Sequence, residues 1–146
     1  MRKSLGKEIS IISRKFDIYL QRELNKINIS KSEYIFIINT ENEGGSSQQV
    51  ICDDFEIDKA VGARAIASLI EKGLLRREKN DQDKRSYRLY LTDEGLAVKP
   101  QIDAILLRWT MVLSQDIETE DIEKIFALLK KMKKNAIREV NDGRKK

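Results

Sequence analysis

The sequence predicts a mainly α fold carrying one small β-hairpin, and three observations predict it. Apolar side chains recur at steps of three and four along most of the chain, the period of helices with one buried face. Only residues 74–91 change to the alternating period of strands, and they do so around a polar tip. Capping and turn residues fall where the helical stripes begin and stop.

Leu5, Ile9, Ile12, Phe16, Leu20, Leu24 and Ile27 form one stripe of a long amphipathic helix over 5–27, ended by Asn25 and Asn28. Ser30-Lys31-Ser32-Glu33 has the spacing of a capping box, in which the serine and the glutamate satisfy each other's backbone donors. The run 34–38, YIFII, has the β-branched and aromatic composition of a strand, but the capping box favours a short buried helix. Residues 41–46, ENEGGS, are turn chemistry. Ser46 or Ser47 then caps a short helix from Gln48 to about Asp54, with Val50 and Ile51 expected to face inward.

Asp58 is a good N-cap for a helix from Lys59 to Lys72, and Gly73 supplies the C′ glycine that stops it. Its apolar side is read as Val61, Ala65, Ile66, Leu69 and Ile70, and its outer side as Lys59, Ala60, Gly62, Ala63, Arg64, Ala67 and Ser68. Leu74–Lys79 and Arg85–Leu91 read as two strands around the polar turn 80–84. Arg76 to Arg88 holds six basic and three acidic residues, so the hairpin is a cationic projection. Thr92 opens a helix in which Ile102, Ile105, Leu106, Trp109, Leu113 and Ile117 keep helical spacing, and Pro100 is expected to bend it. A last helix carries Ile122, Ile125, Phe126, Leu129, Met132 and Ala136, with residues 141–146 expected to fray.

Composition bounds what such a fold does. The chain has 146 residues, enough for one compact domain with helical extensions. Hydrophobic residues make up 40% and charged residues 36%, so a core is affordable but the surface is unusually charged. A net charge of +4 matters less than where the positive charge sits. No histidine occurs, which removes the commonest general base and metal ligand, and phosphate-cradling glycine patterns are absent. An enzyme is therefore not expected, and no cofactor or metal is called for. Cys52 is the only cysteine, and no apolar window suits a signal peptide or a membrane span, so a reducing, cytoplasmic setting is expected.

A short helix, a tight turn and a second helix with a small-residue outer face is the helix-turn-helix arrangement. Small side chains let the backbone approach base edges, while a few longer polar groups read them. Arg64 is the best reader, because a guanidinium bonds a guanine edge or a phosphate. Lys59 and Gln48 sit in first turns, within reach of phosphate, and Gly62 and Ala63 belong to the close-approach face. Lys84 and Arg85 at the hairpin tip suit a narrow minor groove, with Asp83 holding the direction of Arg85. The plain alternative for each cation is a solvated surface charge.

The stretch from Gly73-Leu74-Leu75-Arg76-Arg77 through Asp83-Lys84-Arg85 to Leu91-Thr92-Asp93-Glu94-Gly95 resembles the wing signature of the MarR (multiple antibiotic resistance regulator) family. Ile57-Asp58-Lys59 with Arg64, Leu69 and 71–73 is similar to that family's recognition helix and its exit. Leu128-Leu129-Lys130 to Asn135 resembles its closing dimerisation helix. The resemblance implies a winged helix-turn-helix homodimer, with a dimerisation helix in residues 1–29, a DNA-binding region in 30–92, and dimerisation helices in 93–146. It implies a transcription regulator on palindromic duplex DNA, usually a repressor, often released by a small aromatic or phenolic ligand between the dimerisation and DNA-binding parts. Phe16, Tyr34 and Trp109 are candidates to line such a cleft, although aromatics at helical spacing are more commonly core.

The recognition helix departs from the family in carrying Ala60, Gly62 and Ala63 where Ser or Thr is frequent, which shifts specificity towards Arg64, the wing and DNA shape. Cys52, beside Asp53 and Asp54, reads as a half-buried structural cysteine. The rival from another class is a winged-helix protein-interaction module without specific DNA binding.

Overall fold

The computed structural model describes residues 2–79, 81 and 87–145. It comprises two compact units, residues 1–108 and 109–146. The first unit opens with α1 (Leu5–Asn25), α2 (Tyr34–Asn39), a two-residue strand β1 (Ser46–Ser47), α3 (Gln48–Asp54) and α4 (Lys59–Glu71). The strands β2 (Leu75–Lys79) and β3 (Tyr87–Leu91) follow, then α5 (Asp93–Leu113), whose last turn begins the second unit; α6 (Thr119–Arg144) completes it.

The expected start and stop signals act as read. Ser4 Oγ, a cap not singled out in the sequence, accepts from the Lys7 amide at the start of α1. The capping box closes in both directions: Ser30 N donates to Glu33 Oε1 at 2.9 Å, and Glu33 N donates to Ser30 Oγ at 3.2 Å. It delivers the YIFII run into a helix, and the buried Phe36 and Ile37 become core. Ser47 caps α3 through the Val50 amide, and Gly73 ends α4 at φ +75°.

The core of this unit gathers Leu20 and Leu24 of α1, Phe36 and Ile37 of α2, Ile51 and Cys52 of α3, and Ala65, Ile66 and Leu69 of α4. Leu75 and Leu89 close it from the sheet, and Ile102 and Ile105 from α5. So the hairpin does lean on the helices, as a ribbon without a core of its own must.

Several expectations are corrected. Val50 is 54% exposed; a seven-residue helix turns only one narrow side inward, and Ile51 with Cys52 takes it. Val61 and Ile70, each 38% exposed, lie at the edge of the buried side of α4 rather than in it. Gly62, assigned to the DNA-facing side, is buried: an added Cβ would stand 2.9 Å from Cys52 Sγ and 3.4 Å from Phe36 Cζ. Its missing side chain serves the close packing of α4 on α3 and α2. The sheet has three strands in the order β1-β3-β2, because Ser46 and Ser47 pair with Leu89 and Arg88. Helix α5, with Pro100 inside it as read, ends at Leu113 and so stops short of Ile117, while α6 runs on through the residues expected to fray as far as Arg144.

The Leu-Thr-x-x-Gly motif has a physical basis in this fold. Thr92 N donates to Leu74 O at 3.1 Å, and Thr92 Oγ1 donates to Gly73 O at 2.6 Å. The same hydroxyl accepts from Gly95 N at 3.1 Å, capping α5. Gly95 is buried against the Leu74 carbonyl, where a Cβ would stand well inside contact distance. The threonine thus ties the exit of α4 to the start of α5, and the glycine lets the two backbones meet.

Candidate nucleic-acid interface

Ala60, Ala63, Arg64 and Ala67 are all exposed, and their spacing of three and four places them in one row along α4. The row is small except for one guanidinium. The Arg64 side chain takes part in no hydrogen bond or ion pair among the described residues. Asp58 Oδ1 accepts from the Ala60 amide at 2.9 Å and from the Val61 amide at 3.3 Å, so the first turn of α4 is already satisfied by the protein. Lys59 is exposed in that turn. The α3–α4 turn is tight: Ile57 N donates to Cys52 O at 2.8 Å and Glu56 takes a left-handed φ of +51°.

Gln48 is half-buried, and its Oε1 is buried without a hydrogen-bond partner among the described residues. Its carbonyl oxygen points into the protein, which the reading of Gln48 as a phosphate contact did not foresee. Asp83, Lys84 and Arg85 lie outside the described residues.

The base of the wing carries basic residues that sequence reasoning left as a general cationic surface. Arg76 lies over the Tyr90 ring, its centroid 4.3 Å away, and Arg77 over Tyr87 at 4.2 Å. Arg76 also pairs with Glu78. The register explains the first stack, because Arg76 and Tyr90 are direct cross-strand partners. Arg88 does something else. Its guanidinium donates to Gly44 O at 2.5 Å and Gly45 O at 3.1 Å, fastening the α2–β1 loop onto the sheet. A Cβ on Gly45 would stand 2.6 Å from Leu89 O, so the loop lies too close to β3 for any other residue. The signal available in the sequence was the Gly-Gly pair itself, whose role needs the third strand to be seen.

Burial, then the neighbouring Asp53, pushes the Cys52 thiol above its ordinary pKa, with Lys59 opposing. A buried thiol held protonated is a packing group rather than a nucleophile. Among the candidate cleft residues, Phe16 and Tyr34 are partly buried against the core of the first unit. Burial, with Asp17 adding to it, raises the Tyr34 hydroxyl above its ordinary pKa. Trp109 is half-buried in the second unit. Among the described residues, no group of three or more Cys, Asp or Glu side chains is placed to hold a metal ion. No helix among them is long and apolar enough to cross a membrane.

Two short helices in tight succession, a small-faced second helix and an antiparallel wing define a winged helix-turn-helix, the class of module that docks a helix in a DNA groove. The MarR family profile matches residues 27–86, from the end of α1 to the wing. An uncharacterized HTH-type transcriptional regulator of Bacillus subtilis, YybA, is 26% identical over 133 residues, spanning 91% of this chain and 89% of its own. A MarR transcriptional regulator from Methanosarcina mazei superposes with a TM-score of 0.83 at 29% identity, covering 92% of this chain and 96% of its own. A Listeria monocytogenes protein assigned to the same family, and crystallised with a 26mer DNA, superposes at 0.84 with 25% identity, over 92% of this chain and 89% of its own. Residues 27–86 thus match the MarR family, and over nearly its whole length the chain is similar to HTH-type and MarR-family transcription regulators.

Proposed function

We propose that the chain acts as a homodimer on a palindromic duplex operator, each copy presenting one winged helix-turn-helix to a half-site, and that it represses transcription until a small aromatic or phenolic ligand releases it. The observation that carries this reading is the exposed row Ala60, Ala63, Arg64 and Ala67 on α4. Nothing in the packing of α4 asks for that row to be small, whereas close approach to base edges does. In this reading Arg64 and Ala63 face the major groove, Lys59 and Gln48 flank it at phosphates, and Asp83, Lys84 and Arg85 form the wing tip in the adjacent minor groove. Gly62 keeps its packing role.

Residues 1–29 and 93–146 supply dimerisation in this reading, and 30–92 the DNA-binding region. Support comes from apolar surface left uncovered on the terminal helices. On α1, Leu5, Ile9 and Ile12 are exposed; on α6, Ile125, Phe126, Leu128 and Leu129 are exposed, and none of its described residues is buried. Apolar surface of that extent on a charged chain is a surface meant for a partner, and a second copy is the simplest one. Two-fold symmetry then places half-sites roughly 34–36 Å apart. Phe16, Tyr34 and Trp109 are the proposed ligand contacts. A transcription regulator works where the promoter is, which for a bacterial-type cell is the cytoplasm.

The test is sedimentation of the protein alone and with a labelled duplex carrying its own upstream promoter. The reading expects a dimer at micromolar concentration and one dimer per promoter duplex. A monomer that binds no DNA at low salt contradicts it.

A further inference from the structure

One buried carboxylate joins the α1–α2 connection to the last turn of α4. Glu33 is 3% exposed. Its Oε1 accepts from Ser30 N at 2.9 Å and from Lys72 Nζ at 2.9 Å, and its Oε2 accepts from Ser68 Oγ at 3.1 Å. Lys72 Nζ also donates to Asn28 O at 2.8 Å, at a residue whose backbone is left-handed, with φ +57°. Burial works against ionisation of Glu33, but the ammonium of Lys72 and the two Ser30 groups outweigh it and hold the carboxyl below its ordinary pKa.

A buried charge is an expensive way to hold two elements together, since packed apolar side chains of similar volume often hold them as well. What it adds is direction. The remaining buried side of α4 is Gly62, Ala65, Ile66 and Leu69, which grip by contact area and resist rotation only softly. Hydrogen bonds to a fixed carboxylate fail within a few tenths of an ångström or a few tens of degrees. Ser68 and Lys72 also continue the four-residue row that begins at Arg64, so the clamp and the proposed reader share one side of the helix.

We infer that Glu33, acting through Ser68 and Lys72, is a positioning residue for DNA recognition: it fixes the rotation of α4 about its own axis and hence the direction of Arg64. The inference rests on the DNA-binding reading above. Side-chain tips lie roughly 5–6 Å from a helix axis, so a rotation of about 10° displaces the Arg64 tip by about 1 Å. That is enough to spoil a bidentate base contact while leaving a phosphate contact, which is more tolerant of direction, in place.

The test compares binding of wild type, Glu33→Gln, Lys72→Met and Ser68→Ala to the protein's own promoter duplex and to a random duplex, across a salt series. Thermal unfolding of each variant is recorded alongside. The inference expects promoter preference to fall about tenfold in Lys72→Met, the size of one lost bidentate base contact. Glu33→Gln and Ser68→Ala should fall in the same direction by less, with Lys72→Arg restoring most of the loss. Random-duplex affinity and the salt slope should stay unchanged. Folded variants with lower melting temperatures and full promoter preference would make the clamp merely structural and overturn the inference. Equal weakening on both duplexes, with a salt slope smaller by about 1, would make Lys72 a phosphate contact and overturn it too. Should Lys72→Met not fold, Ser68→Ala, which leaves the ion pair intact, decides by the same comparison. A wild type without promoter preference overturns the DNA-binding reading itself, and the inference with it.

Discussion

Replacing Gly95 by alanine sets local helix preference against tertiary packing, and the two predict opposite signs. Gly95 lies in the first turn of α5, where alanine is favoured over glycine by roughly 0.8–1 kcal/mol on propensity alone. The added Cβ, however, meets the Leu74 carbonyl oxygen, with Leu74 C at 3.2 Å and Leu91 Cδ2 at 3.1 Å. A backbone carbonyl held by the Thr92 amide has no rotamer to escape into. Restoring an ordinary C···O separation of about 3.3 Å moves the start of α5 by roughly 1 Å. Overpacking strain of that kind costs about 1–3 kcal/mol. The Thr92–Leu74 hydrogen bond, stretched at the same time, is worth about 1 kcal/mol more. After the propensity gain, the net expectation is a loss of about 1–3 kcal/mol, or a melting temperature lower by about 4–10 °C for a chain of this length. Thermal unfolding at one fixed protein concentration reads it, since a dimer's melting point depends on concentration. Gly143→Ala, with nothing within 4 Å of the added Cβ, is the control and should be neutral or slightly stabilising. A Gly95→Ala protein as stable as wild type, or more so, would refute the claim that Thr92 and Gly95 exist to join the α4 exit to α5.

Other expectations follow from the same contacts. Lys72 and Ser30 hold the Glu33 carboxyl below the ordinary glutamate range, so its contribution to stability is whole above the unfolded-state pKa and is lost as pH falls through the lower folded value. Urea midpoints of wild type should therefore drop more steeply than those of Glu33→Gln across that acidic window, and parallel curves would contradict the assignment. Gly62→Ala should destabilise by about 1–2 kcal/mol through overpacking against Cys52. Adding Cys52→Ala should recover part of that loss in a double-mutant cycle, because the sulfur is the nearest obstruction. The native Cys52 thiol should react with a disulfide reagent far more slowly than in urea, and equal rates would show that it is neither buried nor held protonated.

Much of the fold was legible because its signals are local. The Ser30–Glu33 box, Ser47, Asp58 and Gly73 each act within one helical turn of their own position, and each does what its spacing implies. The places where reading failed depend on which side of a short element finds a neighbour. In α3 and α4 the apolar pattern alone did not decide between Val50 and Cys52, or between Val61 and Gly62. The sulfur of Cys52 and the ring of Phe36 filled the space that a side chain at position 62 would need. Strand β1 has only two residues and no hydrophobic alternation, so its pairing with β3 shows itself in three dimensions alone. The Glu33–Lys72 pair spans 39 positions, and a glutamate already explained by its capping box gave no hint of a second partner. At the interface, the small row on α4 was readable as a sequence pattern, while the stacking of Arg76 and Arg77 and the diversion of Arg88 into a loop clamp required the strand register.

The central claim is that α4 reads DNA through Arg64, and the direct measurement is equilibrium binding of wild type and Arg64→Ala to the protein's own upstream promoter and to a random duplex of equal length. Losing one directed base contact costs about 1–3 kcal/mol. The expected result is tight, salt-sensitive binding of wild type to the promoter, with Arg64→Ala weakened about 5- to 150-fold there and much less on the random duplex. Equal affinity of wild type for both duplexes, or an Arg64→Ala protein that keeps the full promoter preference, would contradict it.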